Sequence, residues 1–150
     1  MSSAGKTAVP LPCACANLRR ADRVVTQFYD AALRPSGLRI TQFTLLQALT
    51  LAPGMSQKQL AELLEIDSTT LTRTLTPLRR KGWLHSEAGT DRRELRLSLT
   101  LAGKREYQRV LPYWETAQKG LQQALGKKNW NRLIDATVRT AGALASATSG

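Results

Sequence analysis

A mainly α-helical fold with one small β-hairpin is what this sequence predicts, and three observations predict it. Between Ser56 and Gly82 two short amphipathic stretches follow one another with room for only a tight turn between them. After Gly82 the apolar period shortens: Leu95, Leu97 and Leu99 alternate with Glu94, Arg96 and Ser98, the pattern of a strand with one wet face. On both flanks, over residues 13–33 and beyond Thr100, apolar residues recur every three or four positions, so further helices frame the hairpin. Helix, turn, helix and hairpin in that order make a winged helix-turn-helix with a small β-wing.

Each element has its own local reason. Residues 1–12 are small or polar and interrupted by Pro10 and Pro12, which predicts a flexible arm. A single domain is expected over 13–150. Its first helix, residues 13–34, carries Leu18, Ala21, Val24 or Val25, Phe28 and Ala32, and Arg34-Pro35-Ser36-Gly37 breaks it. Thr41 is placed to cap a second helix with Phe43, Leu45, Leu46, Ala48 and Leu49, ended by Pro53-Gly54. Ser56-Gln57-Lys58-Gln59 fits a capping box, in which the Ser hydroxyl bonds the third helical N–H and Gln59 reaches back. Leu60, Leu63, Leu64 and Ile66 give that third helix its buried side. Asp67 or Ser68 caps the fourth, which carries Leu71, Leu75 and Leu78 until Lys81-Gly82 ends it. The winged unit thus spans about 38–100.

Thr100 can cap a long helix with Tyr107, Val110, Leu111, Trp114, Ala117, Leu121 and Leu125 on one side. Pro112 lies inside that pattern and should kink or divide the helix, because proline lacks the N–H and crowds the preceding turn. Gly126 ends it, and a last helix carries Trp130, Leu133, Ile134, Val138, Ala141 and Leu144. The winged unit has enough apolar residues to close its own core. The stripes on 13–34 and 101–146 therefore either pack on each other or meet a second copy, and dimerisation helices are the expectation, since a symmetric reader of two half-sites about one DNA turn (~34 Å) apart needs a dimer.

The fourth helix points to a partner. At about 100° per residue, Leu71, Leu75 and Leu78 fall in one arc, while Thr69, Arg73, Thr76 and Arg80 fall opposite, flanked by Thr70 and Thr72, with Ser68 at the start. That face has hydroxyl and guanidinium groups and no carboxylate. Such groups bond base edges and phosphates in a major groove. An isolated helix with this face would be read as merely solvated; its place before a basic wing tip is what favours double-stranded DNA. Composition agrees: 22 Lys and Arg stand against 11 acidic residues, a formal net charge of +11, which attracts polyanions.

Other classes find little support. His85 is the single histidine, so a Ser-His-Asp triad or multi-histidine metal site is excluded by count, and no Gly-rich phosphate loop is present. No catalytic residue, metal or cofactor is expected. No apolar run approaches the ~18 residues of a membrane span. The first twelve residues have one lysine and no apolar core, and two cysteines make no disulfide framework, so a cytoplasmic location without membrane association is expected. The competing readings are a non-specific architectural nucleic-acid binder, supported by charge but not by the wing, and a protein-interaction module that reuses the fold.

Taken together, these residues resemble a known family. Thr41-Gln42-Phe43-Thr44-Leu45-Leu46, Ser56-Gln57-Lys58-Gln59-Leu60-Ala61, Thr70-Leu71-Thr72-Arg73, Leu78-Arg79-Arg80-Lys81-Gly82-Trp83, Asp91-Arg92-Arg93 and Leu97-Ser98-Leu99-Thr100 with Gly103 are similar to the MarR family of bacterial transcription regulators. The likeness covers about residues 13–146. Its most specific element is the ordered combination of Lys81-Gly82, Asp91-Arg92-Arg93 and Leu99-Thr100 with Gly103. The resemblance implies an obligate homodimer with interlocked terminal helices, two winged lobes on a palindromic operator, and repression relieved by a small molecule or by oxidation. Aromatic acids or phenols often sit in the crevice between the terminal helices and the winged lobe, which here would draw on Phe28, Ile40, Phe43 and Trp114. Pro77 departs from the usual polar residue of the recognition helix.

Two further roles follow from the resemblance. In the wing, Asp91 would brace Arg93 or the strand, Arg92 would meet phosphate, and Arg93 would enter a narrow A·T-rich minor groove, where negative potential concentrates. In the first helix, Cys15 is similar in placement to the reactive cysteine of the family's hydroperoxide-sensing subgroup, and Tyr29 to one of its tyrosine partners. Ile40 stands where the second tyrosine would be, and no C-terminal cysteine is present to resolve a sulfenate. Cys13 and Cys15 point about 200° apart on a helix, so a disulfide between them is not expected. They are candidate sensors of oxidants, electrophiles or thiophilic metals, or else small structural hydrophobes.

Overall fold

The computed structural model describes residues 9–91 and 93–148. Helix α1 spans Ala14–Leu33 and is followed by a 3-10 turn, Arg34–Ser36, that Gly37 closes at φ 78°. Cys13 stands at the N-cap without a side-chain bond; Asn17, in the first turn, donates to the carbonyls of Cys13 (3.0 Å) and Leu11 (2.7 Å) and accepts the Leu11 N–H (3.0 Å), which ties the preceding chain to the helix. Arg20 donates to the Val9 carbonyl at 2.9 Å. Residues 9–12, the described part of the expected arm, are thereby tied to α1.

Helix α2 runs Ile40–Leu51 and starts two residues before the place expected from Thr41. Its cap comes from a distant part of the chain: Asp30 Oδ1, on α1, accepts the Ile40 N–H at 2.7 Å, and Gln42 Oε1 accepts the Arg39 N–H at 3.1 Å. With those donors satisfied, a local hydroxyl is not needed, and Thr41 is left exposed.

A short strand β1, Met55–Ser56, leads into α3, Gln57–Leu64, and α4 follows at Ser68–Arg80. The predicted capping box is formed, with Ser56 Oγ accepting from Gln59 N (3.1 Å) and Gln59 Oε1 from Ser56 N (2.9 Å). Between α3 and α4 the chain reverses through Glu65 at φ 50°, while Ile66 N bonds back to Ala61 O at 3.1 Å. That is a left-handed helix end with a six-to-one bond, made without the usual glycine.

Strands β2 (Leu84–Ala88) and β3 (Leu95–Leu99) form the hairpin, paired from Leu84 with Leu99 to Ala88 with Leu95. β1 adds to the other edge of β3, giving the order β1-β3-β2. Leu97 and Leu99 are buried as their alternation predicts, but Leu95 is 43% exposed because the hairpin tip extends past the core. Helix α5 covers Leu101–Thr148 as two helical segments that meet at a kink at Gly126, where the sequence places the end of the long helix. Pro112 does not divide it; the one residue with non-helical backbone is Gly126, at φ 74° and ψ 153°. Pro112 and Gln108 are both exposed, so the carbonyl that the missing N–H leaves unpaired can be hydrated.

Leu33, Phe43, Leu45, Leu46 and Leu49 from the first two helices, with Leu38 from the connection between them, meet Leu60, Leu71, Leu75, Leu78, Leu97 and Val110 in one core. Phe43 stacks on Tyr107 (5.4 Å) and on Trp114 (5.8 Å). Outside that core, α1 and α5 run antiparallel. Tyr29 donates to Gln118 Oε1, and Arg109 donates to the Ser36 carbonyl at 2.7 Å. At the wing's base, Thr100 Oγ1 donates to the Gly82 carbonyl (2.7 Å) and accepts from Gly103 N (3.0 Å). These bonds fix the first turn of α5 against the end of α4.

Candidate nucleic-acid interface

The site is built on the outward side of α4. Its inward side is fixed by Leu71, Leu75 and Leu78, each at most 1% exposed. Its N-terminus is fixed by Asp67, whose Oδ1 accepts the Thr70 N–H at 2.8 Å and whose Oδ2 accepts the Thr70 hydroxyl at 2.6 Å. The Thr70 hydroxyl, then the Thr70 amide, hold the Asp67 carboxyl below its ordinary range. A depressed folded pKa stabilises above the unfolded value, so this cap contributes at neutral pH and is lost as pH falls below the usual carboxylate range.

Ser68, Thr69, Thr70, Thr72, Arg73 and Arg80 are exposed, and Thr76 is half-buried. The structure thus brings the expected face together on one surface. It also shows which groups are already engaged. The Thr70 hydroxyl is taken by Asp67, the Thr76 hydroxyl donates to the Thr72 carbonyl (2.8 Å), and Thr74 does the same to Thr70 (3.0 Å). Arg73 makes no hydrogen bond or ion pair among the described residues, so its guanidinium is available to a ligand.

Two contributors were not visible in the spacing. Gln57, the first residue of α3, donates from Nε2 to Thr72 Oγ1 at 3.0 Å, and Arg79 donates to Gln57 Oε1 at 3.3 Å. Only the tertiary turn between α3 and α4 brings these three side chains together.

In the wing, Asp91 Oδ1 accepts the Arg93 backbone N–H at 3.0 Å, and its carbonyl accepts the Glu94 N–H at 2.9 Å. The brace therefore acts on the backbone of Arg93 and leaves its guanidinium exposed. Arg93 lines a groove of about 620 Å³ with Gln57, Lys58, Ser68 and Leu95, between the wing and the starts of α3 and α4. Arg92 lies outside the described residues. His85 pairs with Glu87 at 2.9 Å on the exposed side of β2.

The proposed sensor residues do not meet within one chain. Cys13 and Cys15 are exposed and unpaired at the start of α1. Tyr29 lies fourteen residues further along the helix from Cys15, about 21 Å at 1.5 Å per residue. It is buried, its phenol pushed up by that burial, and its hydroxyl is held by Gln118. Of the aromatic cleft, Phe43 and Trp114 belong to the stacked core, and Phe28 is 42% exposed.

A winged helix-turn-helix with an uncharged-to-basic helix face and basic wing tip is the frame of a transcription regulator. The MarR family model matches residues 38–95. The fold superposes on the M. tuberculosis transcriptional regulator MosR in complex with DNA at a TM-score of 0.80, with 36% identity over 90% of this chain and 98% of that one. Against the transcriptional repressor CouR of Rhodococcus jostii, bound to a 23-mer DNA duplex, the TM-score is 0.77 at 26% identity, over 86% of this chain and 92% of that one. The HTH-type transcriptional regulator YwoH of Bacillus subtilis is 28% identical over 93 residues, 62% of this chain and 68% of that protein. The chain belongs to the MarR family and is a transcription regulator of that type. No helix among the described residues is long and apolar enough to cross a membrane.

Proposed function

We propose that the protein is a homodimeric, sequence-specific DNA-binding repressor that lays α4 of each protomer into the major groove of a palindromic operator. The observation that carries this reading is Arg73, without a hydrogen bond or ion pair among the described residues and central on an exposed, carboxylate-free helix face that Leu71, Leu75 and Leu78 orient. Thr69, Thr72 and Ser68 lie with it, Arg80 sits at the phosphate end, and Thr70 and Thr76 offer oxygens as acceptors. MosR and CouR are both solved on DNA, which supports the same use of the shared fold. The test is to recover bound duplexes from a randomised library; the reading requires enrichment of a palindrome with half-sites about one helical turn apart. Binding without enrichment would favour the architectural alternative.

The dimer is supported by apolar surface left open on the terminal helices. Leu18, Val24 and Phe28 on α1 and Leu133, Ile134, Val138 and Leu144 on α5 are all exposed in the single chain. A second copy, meeting the same helices by a two-fold axis, would cover them. The single-domain organisation proposed from the sequence, with a winged unit at about 38–100 and terminal helices around it, fits this division of surfaces.

For the wing, Arg93→Ala should lower affinity most on operators with A·T-rich flanks, since a narrow minor groove is where an inserted guanidinium gains most. Equal losses on A·T-rich and G·C-rich flanks would place Arg93 on phosphate instead. Arg92 is assigned to a phosphate contact.

Release from DNA is assigned to a small aromatic effector or to modification of Cys15. CouR has been solved with p-coumaroyl-CoA, which supports an effector site in this fold. The exposure of both thiols supports the second route. Operator binding should fall with peroxide or a quinone, recover with dithiothreitol, and resist in Cys15→Ser. A Cys13→Ser/Cys15→Ser variant that still responds like wild type would leave the effector site as the only route.

A further inference from the structure

The first residue of α3 sets the hydrogen-bond sense of one threonine on α4. Gln57 touches both Arg79 and Thr72, at 3.3 and 3.0 Å. A guanidinium only donates, so the oxygen of the Gln57 amide has to face Arg79 and its nitrogen has to face Thr72. An amide nitrogen in turn only donates, so Thr72 Oγ1 is the acceptor, and its own proton must point elsewhere. Thr74 and Thr76 turn their protons back on the carbonyls of Thr70 and Thr72, and Thr70 gives its proton to Asp67. Thr72 makes no such bond among the described residues.

We propose that Gln57 is a positioning residue for base recognition: by donating to Thr72 it holds that hydroxyl as a hydrogen-bond donor toward the duplex. The inference rests on α4 being the base-reading helix. It gives the face a fixed polarity. Thr72 asks for an acceptor edge, while the oxygens of Thr70 and Thr76, whose protons are taken, ask for a donor. In the major groove G presents N7 and O6, A presents N7, and T presents O4, whereas C presents only its N4 amino donor. Thr72 therefore disfavours C at the position it faces.

Duplexes selected from a randomised library by the full-length wild type, Gln57→Leu, Gln57→Glu and Thr72→Val test this. Thermal unfolding of each variant establishes that it is folded. The wild type should show one position per half-site where C is disfavoured by roughly threefold to tenfold, the range of a single hydrogen bond. Gln57→Leu frees the hydroxyl to rotate and should flatten that position alone, and Thr72→Val should erase it. Gln57→Glu still accepts from Arg79 but takes the Thr72 proton, so the outward oxygen becomes an acceptor and the preference should move toward C or A. Folded Gln57 variants with the wild-type preference at every position, or with a loss spread evenly over all positions, would overturn the assignment alone. A wild type that enriches no duplex would overturn the base-reading role of α4 and this assignment with it.

Discussion

Gly103→Ala is expected to lower folding stability by on the order of 3 kcal/mol, at the upper end of overpacking effects. A Cβ on Gly103 would stand 2.2 Å from the carbonyl oxygen of Trp83 and 3.0 Å from its carbon. Both are backbone atoms, so no side chain can rotate away. The Trp83 carbonyl also accepts the Thr100 N–H at 3.0 Å, and Gly103 N donates to Thr100 Oγ1. Relieving the clash would pull α5 off the wing and break those bonds. Thermal or urea unfolding measures the effect; a loss under about 1 kcal/mol would mean that α5 and the wing are not packed this closely.

Removing residues 127–150 is expected to leave a folded monomer that binds a full operator ~10²- to 10³-fold more weakly, the scale on which two linked sites exceed one. Beyond Gly126 the side chains of Leu133, Ile134, Val138 and Leu144 are 36–66% exposed, so the truncation takes little from the chain's own core. The core cluster and the half-buried apolar residues packed against it all lie within residues 32–114. Unfolding of the core should therefore change little while sedimentation shows a monomer and binding to the two half-sites loses cooperativity. A truncated chain that stays dimeric would place the interface on α1 alone or elsewhere.

The fold was legible where local chemistry is self-contained. Ser56 and Gln59, Asp67, Thr100, Gly82 and Gly126 each mark a boundary with their own side chain or conformation. The alternation of Leu97 and Leu99 marks a strand without reference to anything distant. The start of α2 was misplaced because its cap, Asp30, comes from the preceding helix, and an acid ten residues away has no local signature. β1 was missed because two residues have no period and are a strand only through pairing with β3. Glu65 takes a left-handed turn that composition would give to glycine, and Pro112 does not break the helical segment that runs to Gly126, because its unpaired neighbour carbonyl is on the wet side.

The candidate site divides in the same way. The row from Ser68 to Arg80 follows from helical geometry alone; its members are exposed except Thr76, which is half-buried. What periodicity could not give is the state of each hydroxyl, since the engagement of Thr70, Thr72 and Thr76 depends on rotamers and on Gln57 arriving from another helix. The cysteines and Tyr29 share one helix but are too far apart on it to form a unit within a chain.

Arg73→Ala compared on a selected operator and on a scrambled duplex of the same length and composition is the most direct measurement of how this protein recognises DNA. A base-reading arginine predicts a loss of about 1–3 kcal/mol on the operator, relaxed preference at one position per half-site, and little change on the scrambled duplex. The same loss on both duplexes, with the wild-type preference intact, would contradict a base-reading α4 and make Arg73 a phosphate contact.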